Sequence, residues 1–155
     1  MGWGGVVRVE RRGEVGGGIP RPREMRARAT GFVGRVAVGG RLDYSPAGLR
    51  IVDLLVDGLR KGGADHEGAR GPLLGLGACV GEVLVRRAGA VWLDFDADRR
   101  AHSGQPVGVR MPDGRVRNPL GRVHNRLAGG GPEESPHTFC LTSHGRARRV
   151  RPAVR

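Results

Sequence analysis

The sequence predicts a small α+β domain: two helices leading into a three-stranded antiparallel sheet with a hairpin, then a short C-terminal helix, with disordered basic termini on either side. Three observations carry that expectation. Ser45-Pro46 and Asn118-Pro119 each set a helix-capping side chain before a proline whose missing N–H is no loss in a first turn. Apolar residues recur at helical spacing through 46–61 and 73–87. Stretches of strand composition then flank the turn Pro112-Asp113-Gly114.

In the first helix Leu49, Val52, Val56 and Leu59 form a stripe widened by Ile51 and Leu55, with Asp53, Asp57 and Arg60 facing outward and Gly62-Gly63 as its end. The second carries Leu73, Leu76, Val80, Val83 and Leu84, and its Arg86-Arg87 suit the C-terminal dipole before Gly89. Residues 90–95 read as a strand, and 107–111 with 115–117 as a hairpin. A three-residue loop sets Arg110 opposite Val116, whereas a two-residue turn would oppose it to Arg117 and bring like charges together. Leu120, Val123 and Leu127 give the closing helix, which ends near Gly129.

The chain has 155 residues, of which 29 are glycine and 10 proline, so part of it is expected not to pack. We therefore read 1–40 as a Gly/Arg-rich disordered extension, 41–128 as the folded domain and 129–155 as a basic flexible tail. The formal charge of +12 divides as +5, +4 and +3 over those segments, and Lys61 is the single lysine among 27 basic residues. Arginine dominance of this kind, with Asn and Ile nearly absent, matches GC-rich coding and weakens charge alone as a sign of nucleic-acid binding. Cys79 and Cys140 form no disulfide framework, which fits a reduced, cytoplasmic protein. Neither a membrane span nor a signal peptide is read, and Arg11-Arg12 lacks the hydrophobic segment of a twin-arginine signal.

Leu42-Asp43-Tyr44-Ser45-Pro46, Gly77 to Arg86, Gly89-Ala90-Val91-Trp92, and Pro112-Asp113-Gly114 through Asn118-Pro119-Leu120 together form a pattern. On these motifs residues 42–127 resemble small uncharacterised proteins of streptomycete-type actinobacteria. The chain departs from that pattern at Cys79, where an aromatic often stands, and at Ala90, where a second glycine does. The resemblance implies no catalytic residue.

Asp94, Asp96 and Asp98 alternate at a strand end, a spacing that places carboxylates on one face for a hard cation. A calcium loop starting at Asp94 would need glycine where Arg99 stands and glutamate where Gln105 stands. Val91 to Asp96 is also similar to the first motif of haloacid-dehalogenase-type phosphotransferases, but the 59 residues after Asp96 hold no lysine for a phosphoryl group and no second acidic strand end. Gly75, Gly77 and Gly81 lie inside a helix rather than between strand and helix, so close packing explains them better than a dinucleotide site. Glu82 and Arg86 have ion-pair spacing, the five histidines have no zinc spacing, and Cys79 reads as a small buried thiol.

Trp92 stands out of phase with Val91, Leu93 and Phe95, which makes it either core or a partner anchor. Arg110, Arg115, Arg117, Arg122 and Arg126 cluster on the hairpin and closing helix. With Trp92 they form the candidate contact surface of a non-enzymatic binding module with no cofactor, whose expected partner is an acidic protein. The alternatives are metal-dependent phosphoester chemistry at the weak metal candidates Asp94, Asp96 and Asp98, and nucleic-acid binding through the arginine face.

Overall fold

The computed structural model describes residues 19–36, 42–65, 67–129 and 131–149, and one helix organises them. This helix, α3 (Arg70–Ala88), buries Leu73 and every residue from Gly75 to Leu84, the burial expected of a central helix rather than an amphipathic one. Around it pack α1 (Met25–Arg35), α2 (Gly48–Lys61), α5 (Pro119–Gly129), α6 (Pro136–Arg149) and the first two strands of the sheet. Three glycines make the close approach possible. A Cβ at Gly75 would lie 2.3 Å from the Phe32 ring of α1, one at Gly77 2.3 Å from Leu120 of α5, and one at Gly81 2.1 Å from the Trp92 indole. Each glycine is a notch filled by a large side chain from a different element, so the glycine content serves packing here. Gly89 (φ 71°) then ends α3 in the left-handed conformation.

The architecture is mixed α+β and mostly helical, with six α-helices among the described residues and one antiparallel sheet. Its strands β1 (Val91–Asp94), β2 (Val107–Arg110) and β3 (Val116–Arg117) lie in the order β1-β2-β3. A short helix, α4 (Ala97–Ser103), joins the first two. Val91 pairs with Arg110 and Arg110 with Val116, while Val109 faces Arg117. The Met111 N–H donates to the Arg115 carbonyl at 2.7 Å and closes the loop over residues 112–114.

Several expectations need correction. Residues 22–35, expected within a disordered extension, form a 3-10 turn (Pro22–Glu24) and α1, which buries Met25, Ala29 and Phe32. Residues 136–149, expected as flexible tail, form α6, with Phe139 and Cys140 buried. Residues 1–18 and 37–40 of the expected extension, 41 and 66 of the expected domain, and 130 and 150–155 of the expected tail lie outside the described residues. The first expected helix starts at Gly48 rather than 46, with Ala47 and not Ser45 at its N-cap, and the Ser45 hydroxyl accepts the Gly48 N–H at 3.1 Å from the preceding turn. Asp53 does not face outward, because Oδ2 accepts the Ser135 hydroxyl at 2.7 Å and ties α2 to the start of α6. At Asn118 the side chain accepts the Gly121 N–H at 2.9 Å, the cap the sequence implies.

Candidate contact surface

The sheet has two unlike faces. Trp92, Val107 and Val109 point to the helices, and Val107 and Val109 are fully buried. The Trp92 indole lies over Gly81 and donates from Nε1 to Glu82 Oε1 at 3.0 Å. Glu82, only 2% exposed, accepts Arg86 Nε on its other oxygen at 3.2 Å. The Arg86 guanidinium in turn covers the Tyr44 ring at 3.7 Å. Both oxygens of this buried carboxylate are therefore occupied, as a buried charge requires. Tyr44 holds the one positive φ of a non-glycine residue among those described (60°), in a turn where Asp43 accepts the Ser45 N–H and hydroxyl. The apolar pocket beside it, between Leu42, Leu49, Val52 and Cys79, is too narrow for anything larger than water.

The sheet's opposite face carries Val91, Leu93, Arg110 and Val116. Cross-strand partners share a face, so Val91, Arg110 and Val116 form one row over the three strands. Val91 is 55% exposed, Arg110 is exposed, and Leu93 and Val116 are half-buried outside the core. Phe95 closes one end of this face, with its ring over Gly108, where a Cβ would meet it at 2.2 Å. Of the two roles the sequence leaves open for Trp92, the structure shows core. Trp92 rather than Val91 and Leu93 faces the core, because Gly81 provides space and Glu82 an acceptor for the indole N–H.

Of the six residues expected to form the contact surface, the structure places only Arg110 on the open face, while Trp92 faces the helices. Arg110 lies in the centre of the open face, and its side chain makes no hydrogen bond or ion pair among the described residues. Arg115 stands at the hairpin tip, 3.6 Å from Asp113 Oδ2. Arg117 is opposite Val109 and so belongs to the other face. Arg122 turns to the segment before α6, bonding Glu134 Oε2 at 2.9 Å and the Glu133 carbonyl at 3.3 Å, with its guanidinium over Phe139. Arg126 donates to the Gly131 carbonyl at 2.9 Å. Both arginines thus tie α5 to the segment before α6. Sequence reasoning missed Val91, Leu93 and Val116 as surface residues, although the period of two in 91–95 contained the signal once the side facing α3 was known.

The aspartates do not converge. Asp96 caps α4, accepting the Arg99 N–H at 2.8 Å, while Asp94, with its side chain 62% exposed, lies 3.7 Å from Arg100. No group of three or more His, Cys, Asp or Glu that could hold a metal occurs among the described residues. Asp96→Ala should cost about 1 kcal/mol through the lost cap, while Asp94→Asn should be nearly neutral; urea midpoints with and without Mg²⁺ test both, and a magnesium-dependent shift lost in either variant would restore the metal reading.

Both cysteines are buried and free, and burial pushes each thiol up to about 12. Native protein at pH 8 should therefore resist a thiol reagent such as 5,5′-dithiobis(2-nitrobenzoate) and release two equivalents only on denaturation. The same shift fixes a sign. The thiols of the unfolded chain ionise from about pH 9, whereas those of the folded chain stay protonated, so their contribution to stability is full below that pH and falls as pH rises toward 12. No helix among the described residues is long and apolar enough to cross a membrane. Comparison with protein-family models, curated proteins and solved structures finds no match to this chain.

Proposed function

We propose that this protein is a non-enzymatic interaction module whose contact surface is the open face of its sheet. The observation that carries the reading is the row Val91, Arg110, Val116: an unpaired arginine set between aliphatic side chains on a rigid three-stranded platform. Arginine framed by apolar surface is the composition from which interface hot spots are made. The enzymatic reading loses support because Asp96 is committed to a helix cap and Glu82 to an indole and a guanidinium. A reduced, cytoplasmic setting and membership of the actinobacterial group accompany this proposal, the former supported by two buried free thiols.

Selection of random peptides displayed on phage against the folded protein tests the surface without assuming a partner. Selected peptides should lose binding to Val91→Ser and Arg110→Ala but keep it toward Leu141→Ser, which alters an exposed leucine on α6. A failure to select any peptide, or binding unaffected by both sheet variants, would refute the reading.

A further inference from the structure

We infer that the partner is a protein segment that presents a carboxylate flanked by aliphatic side chains, with the carboxylate paired to Arg110. The inference rests on the open sheet face being the contact surface. Strands in a sheet lie about 4.8 Å apart, so Arg110 has Val91 and Val116 as its immediate neighbours on either side. A partner that covers both valines also covers the stem of Arg110 between them and meets its guanidinium. Removing that guanidinium from water unpaired carries a desolvation cost that opposes the burial of the two valines. The partner must therefore bring an anion to that point, and a guanidinium takes a carboxylate in a planar, two-bonded fit.

Nucleic acid fits the same face less well. A phosphate backbone is held by several free cations in sequence, whereas here Arg115 is held near Asp113, and Arg122 and Arg126 are bonded to the segment preceding α6. Asp94 and Asp96 lie exposed at the far end of β1, where they would repel phosphates. Val91, Leu93 and Val116 offer a phosphate chain nothing, but they offer aliphatic side chains a dry contact.

The test uses the full chain and two short peptides that differ at one position, Glu or Gln, bracketed by leucines, with a DNA duplex as a third probe. Calorimetric titration should show the Glu peptide binding at least about tenfold more tightly than the Gln peptide. Arg110→Glu should abolish that preference and transfer it to the corresponding Lys peptide, and an unchanged melting curve will show that the exposed substitution leaves the fold intact. Equal binding of the Glu and Gln peptides overturns the carboxylate inference and leaves the contact surface standing. Binding of neither peptide with Arg110-dependent binding of the duplex overturns the inference and leaves the surface standing for nucleic acid, and binding of none of the three probes overturns the inference together with the reading on which it rests.

Discussion

Alanine in place of Gly81 should destabilise the protein by about 3 kcal/mol or more, the sum expected from an overpacked core and a buried carboxylate deprived of a donor. The added methyl would lie 2.1 Å from two atoms of the Trp92 ring. The indole cannot move aside freely, because its N–H is bonded to Glu82 at 3.0 Å and that carboxylate is almost fully buried. Steric and polar costs are thus incurred together. Gly58 on α2 is the internal control: a Cβ there meets nothing within 4 Å, so Gly58→Ala should be neutral or gain up to about 1 kcal/mol from helix propensity alone. Denaturation followed by circular dichroism separates the two, and equal effects would mean that the notch over Gly81 does not exist in solution.

Removal of α1 should abolish cooperative folding. Met25, Ala29, Phe32 and Val36 are all buried, and Phe32 fills the notch at Gly75. Phe32→Ala alone should cost about 3–5 kcal/mol, a large share of the roughly 5–15 kcal/mol that a domain possesses. A chain beginning at Leu42 loses all four side chains and exposes the side of α3 on which the Cys79 thiol lies 3.9 Å from the Ala29 carbonyl. Calorimetry of that truncation should show no sharp transition; a cooperative melt close to that of the full chain would show α1 to be dispensable.

The interior of the fold was legible and its flanks were not, and the reason is the same at both ends. Residues 49–59 and 73–84 are rich in leucine and valine, so their periodicity rises above the background; Asn118-Pro119 marks a true helix start, and Ser45-Pro46 falls two residues short of one. In α1 the buried set Met25, Ala29, Phe32 has helical spacing too, but it is embedded among arginines, alanine and glycines that read as an unstructured extension. In α6 the buried positions 136, 139, 140 and 143 repeat at helical intervals, with only Phe139 and Cys140 apolar enough to notice. Both segments become helices because α3 presents faces for them, a tertiary effect that local composition does not contain. At the candidate site, Arg110 and its register with Val116 were readable from turn chemistry. The diversion of Arg122 and Arg126 was not, since it depends on where residues 131–134 return along the surface.

The one-sided covering of the sheet separates two kinds of inheritance within the same strands. Trp92 is tied to α3 through the Gly81 notch and its bond to Glu82, and Val107 and Val109 are buried in the core, whereas Val91, Leu93 and Val116 lie outside that core. Mutational drift can therefore rewrite the outer residues without endangering the fold, and descendants of one ancestor could come to recognise different molecules while keeping the same skeleton. Among such descendants, residue 92 would be nearly fixed and its two neighbours, 91 and 93, variable.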